Sequence, residues 1–280
     1  MKKVAIQGVA GAYHDIAARA FFEGEQIEIV DCHTFKDVFA TIRKDNNILG
    51  IIAIENTIAG NLLGNHNLLR ESETSIIGEF KLRISHVIAA LPGQKLQDIT
   101  EVHSHPIALM QCEDFLKQNS EIKAVESEDT ALSAKAITEG KIKGRAAICS
   151  KLAAEIYGLE ILESEIETNK RNFTRFLIIA DRWTADQFVV PSESNKSSIV
   201  FMTKHEEGTL SQVLSVLSFY HDNLTKIQSM PIIGHEWEYL FFIDLTFSDY
   251  LKYKQSLDAI RPLTKNLRIL GEYKTGKQII

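Results

Sequence analysis

The sequence predicts an α/β protein with two lobes around a cleft, followed by a smaller ferredoxin-like domain. Strand-like and helical segments alternate through about the first 180 residues, which is typical of parallel sheets covered by helices on both faces. The nearly all-apolar run 48–54 suits a strand buried on both faces of such a sheet. Beyond residue 195 the order becomes strand, helix, strand, strand, helix, strand, which is the ferredoxin-like order.

The first domain is predicted over residues 1–182, with glycine and proline marking its turns. Gly8 and Gly11 separate the first strand from the first helix, Pro92 and Gly93 end a later strand, and Pro106 opens a helix. The predicted strands are 3–7, 27–30, 48–54, 85–91, 101–104, 122–125, 146–149 and 174–180, and the predicted helices are 13–22, 35–42, 130–137, 150–157 and one that begins at 106.

So many units in one segment predict two lobes, the first about 1–82 with 165–182 and the second about 83–164. In folds of this kind, ligands bind beyond the carboxyl ends of the strands. The loops after Ile54 and before Thr174 are therefore the candidate ligand-binding loops.

A polar, irregular segment at 183–195 is predicted to be a linker, and 196–276 to be the ferredoxin-like domain. Its predicted strands are 198–203, 224–230, 239–245 and 267–273, and its predicted helices are 209–220 and 249–263.

Composition limits the possible functions. The 280 residues are 45% hydrophobic and 24% charged, as in soluble globular proteins, and the net charge of −6 disfavours nucleic acid as a partner. Cys32, Cys112 and Cys149 have no pairing pattern, which predicts reduced thiols and a cytoplasmic protein. No apolar stretch has the length of a signal peptide or a membrane span.

The motifs of the commonest catalytic sites are missing from the sequence. The Gly8–Gly11 turn lacks the third glycine of a dinucleotide site and the lysine of a phosphate-binding loop. It is either a plain turn or a helix N-terminus that presents N–H groups to a carboxylate. His103 and His105 lack acidic or cysteine partners at metal-ligand spacing, so we expect no metal. His105 is interpreted as a strand-end residue.

Polar residues cluster where strands begin and end, and each alone is typical of a cap or turn. They lie at Glu55–Thr57, Gln111, Thr130 and 172–176. Taken with their surroundings, they resemble the motifs of the prephenate dehydratase family, in that family's order along the chain. The matching stretches are GVAGAYHDIAA, IENTIAGNLL, HPIALMQC, DTALSAKA, AAICSKLAAEIYGLEIL, NFTRFLII and, near the end, NLTKIQSMP.

The resemblance implies a catalytic domain like the type II periplasmic binding proteins, followed by an ACT regulatory domain. It implies the decarboxylating dehydration of prephenate to phenylpyruvate, without a cofactor, and no chorismate mutase segment is expected. Thr174 is implied as the catalytic residue, a hydroxyl that donates a hydrogen bond to the departing hydroxyl. Substrate-binding residues implied in the same cleft are Gly11, Glu55, Asn56, Thr57, Gly60, Gln111, Thr130, Asn172, Arg175 and Phe176. For Arg175 a substrate carboxylate and a buried structural ion pair remain alternatives.

The resemblance further implies L-phenylalanine as an allosteric effector and a homodimer or homotetramer. Effector-binding residues are implied at Gly208, Thr209, Leu210, Asn223 and Leu224. The apolar strand predicted at 239–245 is also expected to need a partner chain to cover it.

Several positions depart from the family's pattern. In the first domain these are Ala12, His14, Ala53, Thr57 and Ile107, and in the second Gln228 and Met230. Alternatives that remain open are an arogenate dehydratase, with the same chemistry on an aminated substrate, and a non-catalytic protein that only binds a solute or amino acid in its cleft.

Overall fold

The computed structural model describes residues 1–204, 206–232, 234 and 238–279. The strands within these ranges are β1 (Lys2–Gln7), β2 (Ile27–Cys32), β3 (Leu49–Asn56), β4 (Gly60–Asn61), β5 (Thr74–Arg83), β6 (Val87–Ala90), β7 (Glu101–Ser104), β8 (Lys123–Glu126), β9 (Arg145–Cys149), β10 (Glu160–Ser164), β11 (Phe173–Asp181), β12 (Lys196–Met202), β13 (Asn223–Pro231), β14 (Tyr239–Thr246), β15 (Lys265–Tyr273) and β16 (Gln278–Ile279). The α-helices are α1 (Tyr13–Phe21), α2 (Phe35–Lys44), α3 (Leu63–Glu71), α4 (Pro106–Gln111), α5 (Glu113–Gln118), α6 (Thr130–Gly140), α7 (Lys151–Ile156), α8 (Arg182–Ala185), α9 (Thr209–Phe219) and α10 (Tyr250–Ile260).

The first sheet has the strand order β16-β5-β11-β3-β1-β2, with β4 paired to β3. Strand β1 runs parallel to both β2 and β3. Residues 49–54 of β3 are all buried, as the apolar run predicted, and Glu55 and Asn56 at the end of the strand are only partly buried. The two polar residues therefore lie at the carboxyl end of a central strand of the sheet.

The second sheet has the order β10-β6-β9-β7-β8 and is mixed, whereas parallel sheets were predicted. Strand β7 is parallel to β8 and β9, whereas β6 is antiparallel to β9 and β10. The reason is local: a parallel connection needs a long crossover, usually a helix. Between β6 and β7 the chain has only a 3₁₀ turn at Leu96–Asp98, so it reverses direction.

The third sheet has the order β13-β14-β12-β15, which is the ferredoxin-like arrangement that the element order predicted. Its core includes Phe201, Leu217 and Tyr253, with Phe247 stacked on the Tyr253 ring at 4.1 Å between centroids. Strand β14 lies inside this sheet, and Leu240, Phe242 and Leu245 are buried by the chain itself. The expectation that this strand needs a partner chain to cover it is therefore wrong.

The chain divides into two compact units that do not follow the predicted domain limits. One comprises residues 1–62 and 80–176 with the β16 strand, and the other comprises 63–79 and 177–277. Segment 63–79 belongs with the ferredoxin-like sheet because polar groups tie the two together. The Lys196 ammonium lies 2.8 Å from a buried Glu79 carboxylate oxygen, and the Arg268 guanidinium donates to the carbonyls of Ser72 and Thr74.

Several elements had no clear signal in the sequence, among them α3, β5, β10 and α8. Strand β5 contains Glu79 and Lys81, and contacts with residues much later in the chain, Lys196 and the Gly276 N–H, explain why a carboxylate is buried there. Helix α8 covers the first residues of the predicted linker. It starts there because the Asp181 carboxylate accepts from the Trp183 N–H and so caps the helix. Within the described residues, no helix is both long enough and apolar enough to cross a membrane.

Candidate active site

A cavity of about 390 Å³ opens within the first compact unit, at the ends of the strands of both its sheets. That volume falls in the usual range for small-molecule sites. Five of the sequence-predicted residues line it: Asn56, Gln111, Thr130, Thr174 and Phe176. None of the lining residues found in the described part of the chain is Lys or Arg. Any anion held here must therefore be bound by uncharged donors or by histidine.

Thr174 lies at the start of β11, and its hydroxyl is held by Asn56 at the end of β3. The Asn56 carboxamide nitrogen donates to Thr174 Oγ1 at 2.9 Å and to Asn172 Oδ1 at 2.8 Å. The Asn56 carbonyl oxygen accepts the main-chain N–H groups of Ile58 and Ala59, which fixes the amide orientation. Because Oγ1 accepts from Asn56, the Thr174 proton stays available, and no described residue accepts it.

Asn172 and Thr57 support this arrangement from outside the cavity. Asn172 is fully buried, and its side-chain oxygen accepts from Asn56. The Thr57 hydroxyl donates to the Arg171 carbonyl at 3.0 Å and accepts from the Phe173 N–H at 2.9 Å, so it clamps the end of β3 to the start of β11. Neither residue lines the cavity.

Arg175 and Glu55 form an ion pair at 3.0 Å, and Arg175 is only 6% exposed. This ion pair corresponds to one of the two alternatives that the sequence left open for Arg175. Gly60 is the exposed first residue of β4, with φ of +82°. None of these three residues lines the cavity.

The main-chain N–H of Gly11 is bonded within the chain. Its N–H donates to the Asp15 carboxylate at 2.8 Å, so it is not free for a substrate carboxylate. With φ of +87°, Gly11 also packs so closely on α7 that an added Cβ would lie 2.6 Å from Ala153 Cα. The glycine is thus required for a left-handed turn against a helix.

Replacing Ser150 with alanine is expected to lower the free energy of unfolding by about 0.5–2 kcal/mol, the usual cost of losing an N-cap. The Ser150 hydroxyl accepts from the Ala153 N–H and donates to the Gly11 carbonyl at 2.6 Å, so it both caps α7 and holds the turn. Urea unfolding measures the change. Ser215→Ala, at an exposed position in α9, is the control and should change stability by less than about 0.5 kcal/mol. Equal, small effects in both variants would contradict the assignment.

His14 forms part of the cavity wall between two aromatic rings. Its ring lies edge-on to Phe35 and Phe176, with centroids 5.4 and 5.0 Å away. Its Nε2 atom is shielded from solvent and has no hydrogen-bond partner among the described residues. Burial lowers the pKa of His14 to about 4, so the imidazole is neutral at physiological pH.

The His14→Gln variant is expected to lose stability less steeply in acid than the natural protein. Between about pH 6.5 and pH 4 the unfolded chain protonates this histidine while the folded chain does not, so protons favour unfolding in that window. One such group contributes up to about 1.4 kcal/mol per pH unit. Urea midpoints measured from pH 7 to pH 4.5 test this, and identical slopes for both proteins would contradict it.

Sequence reasoning missed several cavity residues: Tyr13, His86, His105 and Asp129. The His105 Nδ1 accepts the Ile107 N–H at 3.2 Å as the N-cap of α4, so the ring proton lies on Nε2, which can act as a donor. Asp129 caps α6 through the Ala131 and Leu132 N–H groups, and burial raises the pKa of its carboxyl group. His105 and Asp129 directly precede the predicted helix starts at 106 and 130, whereas His86 carried no local signal.

A second cavity, of about 400 Å³, lies at the start of α9. Three of the predicted effector residues, Gly208, Thr209 and Leu210, line it. Gly208 has φ of +76° and opens the helix. Asn223 and Leu224 begin strand β13 and do not line this cavity.

Comparison with known proteins agrees with this architecture. The family model described as prephenate dehydratase matches residues 4–184. A bifunctional chorismate mutase/prephenate dehydratase of Aquifex aeolicus is 34% identical over 97% of this chain and 73% of its own length. Arogenate dehydratase 3 of Arabidopsis thaliana is 35% identical over 97% of this chain and 66% of its own length.

Solved structures with the same fold cover nearly the whole chain. A protein described as GqqA, a novel type of quorum quenching acylase, superposes with a TM-score of 0.86 at 29% identity, over 98% of both chains. A prephenate dehydratase from Arthrobacter aurescens, solved in complex with L-Phe, superposes with a TM-score of 0.85 at 24% identity, over 97% of this chain and 89% of the other. The predicted fold class is thereby confirmed.

The fold and the cavity define an α/β enzyme with a cavity lined mainly by apolar, hydroxyl, amide and imidazole side chains. With the family match and the relatives above, the chain belongs to the prephenate dehydratase family, whose members are carbon–oxygen lyases.

Proposed function

We propose that this cavity converts prephenate to phenylpyruvate, with the Thr174 hydroxyl acting on the hydroxyl group that leaves the substrate ring. The bond between the ring and its carboxylate breaks and releases carbon dioxide. The freed electron pair enters the ring, which becomes aromatic as the opposite C–O bond breaks. The departing hydroxide takes up a proton and leaves as water, so one proton is consumed in each turnover.

The contact between Asn56 and Thr174 carries this proposal. An N–H group that donates to Oγ1 makes the Thr174 proton a better hydrogen-bond donor and stabilises negative charge that develops on the oxygen. The hydroxyl gives this help without adding a charge beside a substrate that already carries two carboxylates. Asn172 and Thr57 are proposed to hold this pair in register rather than to touch the substrate.

Aromatisation supplies the driving force, so the protein's contribution is position and electrostatics. Thr130 and His105 are proposed to bind the diacid through neutral donors, Gln111 to contact the substrate through its amide, Asn56 to act through Thr174, and Phe176 to pack against the substrate ring. For Glu55 and Arg175 we propose a role in fixing the end of β3 against β11. Gly11 and Gly60 are proposed to shape the loops.

Purified protein incubated in parallel with prephenate and arogenate tests the substrate, with phenylpyruvate and phenylalanine as the respective products. An arogenate dehydratase is the second candidate, because relatives of that name are as similar as the prephenate dehydratases. We expect a higher kcat/KM for prephenate. A higher value for arogenate would overturn the assignment. Because the structure is similar to that of GqqA, which is described as an acylase, a third incubation contains an acyl-amide substrate.

For the C-terminal part we propose an ACT regulatory domain at 196–276, preceded by a linker at 183–195 and a catalytic domain at 1–182. L-Phenylalanine is the proposed effector, held at the glycine turn before α9, where main-chain N–H groups of a helix start can receive a carboxylate. The Arthrobacter aurescens protein solved with L-Phe supports this choice of ligand. Asn223 and Leu224 would then contribute from a second chain.

A homodimer or homotetramer fits the exposed edge of the third sheet. Strand β13 is an edge strand in which no residue is buried, and Ile227 on it is 47% exposed.

Three free buried cysteines fit the cytoplasm as the proposed location. Light scattering at micromolar concentration and calorimetric titration with phenylalanine test the assembly and the effector. A monomer that neither releases heat nor loses activity at millimolar phenylalanine would contradict both.

A further inference from the structure

Tyr13, His86 and Gln111 form a hydrogen-bonded chain along the wall of the active-site cavity. The Tyr13 hydroxyl lies 2.8 Å from the Ser85 carbonyl oxygen and 2.8 Å from Nδ1 of His86. On the other side of the ring, His86 Nε2 lies 2.9 Å from the side-chain amide of Gln111, at its Oε1. The three side chains come from α1, the residue before β6, and α4, and all three line the cavity.

The number of protons in this chain restricts how it can be arranged. The Ser85 carbonyl can only accept, so the single Tyr13 proton points to it and the Tyr13 oxygen must accept from His86 Nδ1–H. If the Gln111 oxygen faces His86, then Nε2 must also carry a proton and the ring is an imidazolium. If the amide is turned by 180°, which leaves its shape unchanged, the Gln111 NH₂ donates to a bare Nε2 and the ring is neutral.

The surroundings of His86 favour the neutral ring. His86 is 1% exposed, and burial is the main cause that lowers its pKa. The hydrogen bond to Gln111 and, more weakly, the Glu167 carboxylate oppose this effect, but Glu167 Oε2 is already bonded to the His86 main-chain N–H at 2.9 Å and its Oε1 to Arg83 at 3.2 Å. Tyr13 and Gln111, the other groups that face the ring, carry no charge.

We propose that His86 is a positioning residue for Gln111: Tyr13 holds the imidazole as its Nδ1–H tautomer, and the bare Nε2 turns the Gln111 carbonyl oxygen into the cavity. The substrate then meets a hydrogen-bond acceptor at Gln111. This inference rests on the proposed function for the identity of the substrate. On prephenate the ring hydroxyl is the one hydrogen-bond donor, so the oriented amide recognises the group that Thr174 acts upon.

The tautomer can be measured directly on the protein without substrate. Long-range ¹H–¹⁵N correlation spectra of histidine-labelled protein distinguish protonated from bare ring nitrogens, and His86→Gln identifies the His86 signals among the nine histidines. At pH 7 we expect a protonated Nδ1 and a bare Nε2. In Tyr13→Phe, which removes the acceptor of Nδ1–H, the proton should move to Nε2. A protonated Nε2 in the natural protein at pH 7 would overturn the proposal.

Activity provides a second readout that a purely structural contact would not change. Tyr13→Phe should lower kcat/KM for prephenate about three- to tenfold, the loss typical of one hydrogen bond. Tyr157→Phe is the matched control, because that hydroxyl donates to the Ala10 carbonyl at 2.9 Å and lies outside the cavity. Equal kcat/KM for the two variants would contradict the role in substrate recognition. If prephenate is not turned over at all, the proposed function fails, while the tautomer measurement still decides the arrangement of His86.

Discussion

The Thr174→Ala variant is expected to turn over prephenate about 100-fold more slowly than the natural protein, or slower still, which is the usual scale for a positioned proton donor. The physical reason is that the hydroxyl has its acceptor side occupied by Asn56 and its proton free for the substrate. Steady-state kinetics should place the loss in kcat, because the interaction strengthens as charge develops on the leaving oxygen.

Thr174→Ser retains a hydroxyl at the same position and should keep more of the activity. Thr138→Ala is the matched control: the Thr138 hydroxyl donates to the Tyr157 carbonyl at 2.7 Å, away from the cavity, so its loss should leave kcat unchanged. An alanine variant at 174 with near-normal kcat and normal unfolding would show that another group protonates the leaving oxygen.

Replacing Asn56 with aspartate is expected to lower kcat by a similar amount, about 100-fold, the scale reported for losing one preorganised donor. The new side chain has the same shape and can still accept from Ile58 and Ala59. Its carboxylate cannot donate to Thr174 Oγ1, however, and would instead attract the threonine proton that the substrate needs. The carboxylate would also face the Asn172 side-chain oxygen and the Phe173 carbonyl oxygen, which accept from the Asn56 amide in the natural protein, and it could donate to neither.

The control for this change is Asn119→Asp at the end of α5. The Asn119 amide also donates to a main-chain carbonyl, that of Phe115, at 2.9 Å, but it lies outside the cavity. This variant should keep a normal kcat for prephenate. A normal kcat in Asn56→Asp as well would mean that the donor to Thr174 is dispensable.

Much of the fold could be predicted because its signals are local. The apolar strand β3, the glycine turn before α1 and the ferredoxin-like order of elements each follow from neighbouring residues. Strand β5 could not be predicted in the same way, because its buried Glu79 is stabilised by Lys196, more than 100 residues further along the chain. The antiparallel direction of β6 could not be predicted either. It follows from the helix-free connection between β6 and β7, and residues 91–100 carry no pattern that indicates the reversal.

The residues of the candidate site likewise fall into those that local sequence predicts and those that depend on distant contacts. Asn56, Gln111, Thr130, Thr174 and Phe176 lie in recognisable motifs, and the structure brings them to one cavity. Gly11 and Arg175 lie in the same motifs, yet their polar groups are bonded to Asp15 and Glu55. His86 and Tyr13 could not be found, since their role depends on contacts between residues 73 positions apart.

A double-mutant cycle tests most directly whether Asn56 and Thr174 act as one catalytic unit on prephenate, as proposed. The kcat values of Thr174→Ala, Asn56→Asp and the double variant are compared with that of the natural protein. If Asn56 works through Thr174, the double variant should lose about as much activity as either single variant, roughly 100-fold, because residues that act as a unit are far from additive. A double variant slowed by the product of the two single losses, roughly 10,000-fold, would mean that the residues act independently and would contradict the account.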